Sequence, residues 1–137
     1  TARVDVEGKC ADCHAAQHAV FDGTAEGSGI TGIHFDADVE CLDCHYTDED
    51  PIETALCEDC HDEERYPDMR RAWQDNARRK LSQAASARTG GRASRSLIRD
   101  IERHVRLIQR DGSLGVHNPE LVDTLLCRDL EKVGTDR

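Results

Sequence analysis

The sequence predicts one small domain, mostly irregular chain with α-helices and little or no β-sheet. It divides into an irregular part over residues 1–67 and a helical part over residues 68–137. Three observations lead there. First, Leu, Ile, Val and Phe make up 26 of the 137 residues, while 34% are charged and the net charge is −10. A chain so poor in apolar surface buries too little to offset its ordering entropy, and by itself it reads as disordered. Second, the apolar residues that do occur are concentrated towards the C-terminus at helical spacing. Third, seven cysteines and seven histidines are high for this length, so a core supplied from outside the polypeptide is the better expectation. The length excludes an enzyme of several hundred residues with a large core. No stretch approaches the roughly 20 apolar residues of a membrane span.

Taken in order, the first part is rich in Asp, Gly and short turns and has little periodicity. Short helices are expected at each Cys-x-x-Cys pair. Gly23 to Gly32 is a loop by composition, and Thr47 to Pro51 reads as a turn. The second part opens with a helix from about Asp68, its candidate cap after Pro67, to about Arg88. Trp73, Ala77, Leu81 and Ala84 share one face, and Gly90-Gly91 end it. A second helix runs from about Ser94 to Arg110, stopping before Gly112, with Leu97, Ile98, Ile101, Val105 and Ile108 as its apolar stripe. The third follows Asn118, a good N-cap, and Pro119, suited to the first helical position. It extends to about Lys132, with Leu121, Val122, Leu125, Leu126, Leu130 and Val133 apolar. A helical hairpin and a C-terminal helix are therefore expected to pack over whatever the first part holds.

Charge is segregated along the chain. Residues 1–69 carry a net −16, residues 70–110 a net +9 and residues 111–137 a net −3. A basic block raises the question of nucleic acid. Pairing with the acidic half within the chain explains it better, as does head-to-tail stacking of an acidic face on a basic one. No nucleic-acid partner is expected.

The cysteines carry the chemistry. Six of the seven form three Cys-x-x-Cys pairs, each followed at once by histidine: Cys10-Ala-Asp-Cys13-His14, Cys41-Leu-Asp-Cys44-His45 and Cys57-Glu-Asp-Cys60-His61. This is the attachment signature of c-type haem. Two thiols add to the two vinyl groups of one porphyrin, and the next side chain binds the iron. Paired Cys-x-x-Cys also builds zinc sites, but a tetrahedral site does not require histidine after each pair, and three pairs leave one without a partner. A disulfide framework leaves the histidines unexplained. Three covalent haems c are the expected cofactors, and their apolar surface is the missing core; without them the chain is expected to be unfolded.

On these motifs the chain resembles a multihaem, here trihaem, c-type cytochrome. Near the C-terminus, Asp111-Gly-Ser-Leu-Gly-Val-His117-Asn-Pro-Glu-Leu-Val is similar to a Gly-Val-His-Asn-Pro segment of multihaem nitrite and hydroxylamine-type oxidoreductases. That similarity implies His117 is a distal haem ligand. His34, in His34-Phe-Asp-Ala-Asp-Val-Glu-Cys41, resembles the distal-ligand spacing common in multihaem cytochromes. His18 lies four residues after His14. On a continuous helix both would share one face, so His18 would serve another haem or none. The arrangement resembles extracellular cytochrome filaments (nanowires), which implies that His18 ligates a haem of a neighbouring subunit.

His14, His45 and His61 are thus the proximal ligands, and His18, His34 and His117 the distal ones. His104 is the weaker distal candidate: it falls on the apolar stripe of the second helix, where a partly buried structural histidine is equally expected. Met69, the single methionine, reads as an ordinary helix residue. Cys127 has no Cys-x-x-Cys partner. A buried free thiol is expected there, with an intermolecular disulfide or an axial ligand as alternatives.

Distal candidates outnumber the haems, so every iron can be bis-histidine, which leaves no open position for substrate. Electron transfer, not enzyme catalysis, is the expected function. The leading form is the repeating subunit of an extracellular conductive filament, and a soluble or complex-bound periplasmic shuttle is the alternative. A nitrite or hydroxylamine-type oxidoreductase relative is less favoured, and a zinc-binding interaction module would show no Soret band. Redox proteins and further copies of the chain are the expected partners. Haem attachment occurs outside the cytoplasm, so a cell-surface or extracellular location is expected, with the periplasm as alternative. No signal peptide is seen, and Thr1 reads as a processed N-terminus.

Overall fold

The computed structural model describes residues 10–45, 54–62 and 69–135. Among them helix is the only regular structure, with no strand. Each Cys-x-x-Cys-His motif lies in short helix: α1 (Cys10–Cys13) and α4 (Cys41–Cys44) are single turns, and a six-residue 3-10 helix over Thr54–Asp59 enters the third. Between the first two lie α2 (Ala15–Asp22), a 3-10 turn at Ala25–Gly27 and α3 (Ile33–Asp36). The three long helices are α5 (Met69–Thr89), α6 (Arg95–Asp111) and α7 (Pro119–Thr135). The expected turn at 47–51 and the expected cap Asp68 lie outside the described residues.

The caps place the helix ends where their chemistry predicts. Ser94 accepts from the Leu97 N–H at 3.2 Å and starts α6. Gly112, at φ 76°, ends it, donating its N–H to the Ile108 carbonyl; that left-handed conformation suits glycine. Asn118 Oδ1 accepts from the Leu121 N–H at 3.0 Å and starts α7.

Packing follows the apolar stripes. α7 lies against both α5 and α6, and α2 packs on α6. Ala77, Ile108, Val122 and Leu126 form one buried cluster among the long helices. Ala84, Leu97 and Ile101 form a second between α5 and α6. A third joins Val20 and Ala25 to Leu121 and Leu125 and so ties the acidic part to α7. The helical half therefore builds its core from its own side chains. In the acidic part, by contrast, α1, α3 and α4 bury no residue.

Two local readings change. α1 and α2 are not one helix. His14 sits between them at φ −117° and ψ 50°, outside helical values, so it and His18 do not share the face a continuous helix would give. On α7 the deeply buried residue near the C-terminal end is Asp129, while Leu130 is partly buried. The cause is His104 on α6, whose Nδ1 lies 2.8 Å from Asp129 Oδ2.

Asn118 does more than cap. Its side chain is fully buried, and its Nδ2 donates to the carbonyls of Val20 at 2.8 Å and Ile30 at 2.6 Å. Replacing it with alanine removes a cap and leaves two buried carbonyls without their donor. Asn118→Ala is expected to cost about 3 kcal/mol, measured as a fall in the urea unfolding midpoint at constant slope.

Candidate haem site

The three motifs share one backbone device. In each, the histidine N–H donates to the carbonyl of the first cysteine at 2.8 Å: His14 to Cys10, His45 to Cys41 and His61 to Cys57. One helical turn closed this way sets both thiols and the imidazole in a fixed relation. The second motif is also capped, because the Glu40 N–H donates to Asp43 Oδ2 at 2.7 Å. None of the seven cysteines is in a disulfide.

The motifs are neighbours in space. Burial pushes the Cys41 thiol up from its ordinary range, and the adjacent Cys10, hydrogen-bonded to it, adds to the shift. Burial does the same to Cys44, and Cys57 and Cys60 add to it. The second motif thus lies between the first and the third. Among the described residues, no group of three or more His, Cys, Asp or Glu converges to hold a metal ion.

The histidines are arranged in pairs. The rings of His34 and His61 are centred 6.0 Å apart, and those of His45 and His117 6.1 Å apart. Each pair joins an expected distal ligand to an expected proximal one. Two imidazoles bound to one iron from opposite sides, with metal–nitrogen bonds of about 2 Å, have ring centres roughly 6 Å apart. Rotation about the bond axis leaves the angle between the rings unconstrained, so the observed 60° and 54° are compatible. A haem iron takes four ligands from its porphyrin and needs only two from protein, so pairs suffice. Burial holds the His34 imidazole below its ordinary value, with the neighbouring His61 adding to it. A neutral imidazole is the form that ligates.

The remaining histidines differ in how their rings are held. His117 Nδ1 lies 2.6 Å from Asp111 Oδ1, and the Asp111 side chain is fully buried. The carboxylate is itself fixed by Ser113, whose Oγ donates to Oδ2 at 2.5 Å. Carboxylate anchoring of one ring nitrogen orients the other for a metal. His18 has the same arrangement in an exposed setting: Nδ1 lies 3.2 Å from Asp22 Oδ2, and the side chain is 44% exposed. His104 is held at Nδ1 by Asp129 at 2.8 Å, while its Nε2 lies 3.7 Å from Glu26, beyond hydrogen-bond reach. It joins α6 to α7 and to the Ala25–Gly27 turn, the structural role weighed for it from sequence. His14 is exposed.

Apolar side chains next to the motifs in sequence are exposed. Leu42, inside the second motif, is 63% exposed, and Ile33 and Phe35, flanking His34, are 54% and 40% exposed. Phe21 packs edge-on to Phe35 at 5.6 Å and contacts the His117 ring at 6.5 Å. Exposed apolar groups beside cysteines and paired imidazoles fit a large flat apolar ligand. The residues present therefore fit haem: the six motif cysteines for attachment, and two proximal–distal histidine pairs for iron.

Sequence reasoning missed the carboxylates. Asp22 had a readable signal, four residues after His18 on one helix. Asp111 and Asp129 had none, because acidic residues are common throughout the chain. Met69 is the first residue of α5 and 46% exposed. Comparison with protein-family models, curated proteins and solved structures found no match to the chain.

Gly32 brings the two histidine pairs together. Its N–H donates to the Phe21 carbonyl at 2.9 Å. A Cβ there would meet the His117 carbonyl oxygen at 2.6 Å and the Phe21 carbonyl oxygen at 2.9 Å. Both are backbone atoms and cannot swing aside. Gly32→Ala is expected to destabilise the protein by about 2 kcal/mol, read from its urea unfolding curve.

Proposed function

We propose that the chain is an electron carrier holding three covalent haems c and that it is not an enzyme. The observation that carries this function is the pairing of His34 with His61 and of His45 with His117 at ring separations of 6.0 and 6.1 Å. When bound, the group supplies an iron that gains and loses an electron between two imidazoles. The chain's own residues do the rest. Cys10 and Cys13, Cys41 and Cys44, and Cys57 and Cys60 form the thioethers. His14, His45 and His61 are the proximal ligands, with His117 opposite His45 and His34 opposite His61. Asp111 holds His117 by Nδ1 and leaves Nε2 to ligate. Ile33, Phe35 and Leu42 exclude water from the porphyrin edge. Imidazoles on both sides of an iron leave no position for substrate, which argues against an oxidoreductase.

Two measurements test this. The purified protein is expected to show a Soret band and a low-spin spectrum. After reduction and denaturation it should expose one reactive thiol, that of Cys127. Seven reactive thiols, or a high-spin five-coordinate signal at the second or third motif, would count against the assignment.

The filament form is supported by His18. His34 and His117 are used within the chain and His104 Nδ1 is engaged by the buried Asp129, which leaves the first haem without an assigned distal ligand that His18 of a neighbouring copy would supply. His18 is exposed, and its Nδ1 is turned to Asp22, so Nε2 is the nitrogen it would offer to a neighbour. Each copy then gives one histidine and receives one, and the ligand count closes head to tail. The opposed charges of residues 1–69 and 70–110 favour the same stacking. Among the described residues no helix is long and apolar enough to cross a membrane. The assembly would lie at the cell surface or beyond it, since haem attachment occurs outside the cytoplasm. A periplasmic shuttle remains the second form, and electron micrographs distinguish them. His18→Ala is expected to abolish filaments while haem content stays at three per chain. Filaments that persist in the variant would rule out the inter-subunit role.

A further inference from the structure

Cys127 stands apart from the haem motifs, and its surroundings are specific. It lies on α7 beside Lys80 of α5, whose Nζ is 3.0 Å from its Sγ. Lys80 Nζ also donates to Asp123 Oδ1, and Asn76 Nδ2 donates to the same oxygen at 2.8 Å. Asp123 Oδ2 lies 3.8 Å from the Cys127 sulfur. The lysine side chain is only 17% exposed, so its ammonium is held in place between carboxylate and thiol. A surface cavity of about 450 Å³, lined by Trp73, Asn76, Lys80, Pro119, Glu120 and Asp123, gives small molecules access to the cluster.

We propose that Lys80 and Cys127 form a reversible covalent bridge on oxidation, with one oxygen atom joining the lysine nitrogen to the cysteine sulfur. A nitrogen 3.0 Å from a sulfur is at nearly the span of two bonds through a shared oxygen. A direct nitrogen–sulfur bond would require the two helices to close much further. The oxidant is a peroxide, used twice. The first equivalent converts the thiol to a sulfenic acid: the S–H bond is replaced by S–OH and one water leaves. The second removes one hydrogen from that hydroxyl and one from the amine, the N–O bond forms, and two waters leave. The ammonium must first give up a proton, which passes to water in the cavity, since the ion pair keeps Asp123 as the carboxylate. Two equivalents of a dithiol reductant, each giving two hydrogens and closing to its disulfide, return the free lysine and cysteine, with release of the oxygen as water. The bridge would tie α5 to α7 across 47 residues, and closing a loop of that length restricts the unfolded chain. None of this depends on the haem assignment.

The test is mass spectrometry of the purified haem-loaded protein after dilute hydrogen peroxide. The expected product gains one oxygen and loses two hydrogens. Its digest joins the peptides carrying Lys80 and Cys127, and a thiol reductant separates them. The urea midpoint should rise on oxidation and return on reduction. Lys80→Arg and Cys127→Ser should each lack the joined peptide and the shift in midpoint. Three results would overturn the proposal: a joined peptide that persists in Lys80→Arg, loss of two hydrogens with no oxygen gained, or Cys127 passing to sulfinic acid in the unaltered protein with Lys80 unmodified.

Discussion

The buried amide of Asn118 is the constraint on which the arrangement rests. One side chain starts α7, holds the end of α2 through Val20 and holds the loop before α3 through Ile30. Two of those places lie 98 and 88 residues from Asn118 in sequence. Nothing apolar could do the same, because two of the three contacts are to backbone carbonyls that need a donor. His117 immediately precedes this residue, and Gly32 sits two residues beyond Ile30. The positions of two expected iron ligands, His117 and His34, are therefore set by the same buried hydrogen bonds that hold the acidic half on the helices.

The molecule divides its labour accordingly. The long helices supply a conventional core of aliphatic side chains and alanines, small enough to let α5 approach α7 closely. The motif-bearing segments supply thiols, imidazoles and uncovered apolar groups, with short single turns in place of a core. A polypeptide with so few large apolar residues can fold in this way because it concentrates them among the long helices. The charge pattern matches the division. The basic block lies on α5 and α6, and Arg103 reaches back to Glu26 in the acidic part at 3.0 Å.

Much of this was legible from sequence, for physical reasons. Helical periodicity with Ser94, Gly112, Asn118 and Pro119 at the ends located α6 and α7, because caps and stripes are local signals. The three Cys-x-x-Cys-His motifs were legible because their spacing repeats without change along the chain. The partners of the histidines were not. Asp111 lies six residues before His117, and Asp129 faces His104 from another helix, so only the folded chain brings them together. His104 was legible as a residue on an apolar face, but its role depended on Glu26 and Asp129, which no pattern linked to it. The Lys80–Asp123–Cys127 cluster escaped for the same reason. The break at His14 was also hidden, since the residues on either side are helical.

The close approach at Gly32 couples features that otherwise look separate. Because backbone touches backbone there, the segment leading to His34 cannot shift without pressing on the carbonyl of His117. The two ring pairs are thus not independently adjustable, and they share a single point of registration. Between Gly23 and Ile30 the loop has slack: Gly27 and Gly29 have open space around them, and surface loops of that kind tolerate changes in length. At its two ends there is none, because Gly23 abuts the Ile30 carbonyl and Gly32 those of His117 and Phe21. Variation in this loop should accordingly be confined to the few residues between those two contacts.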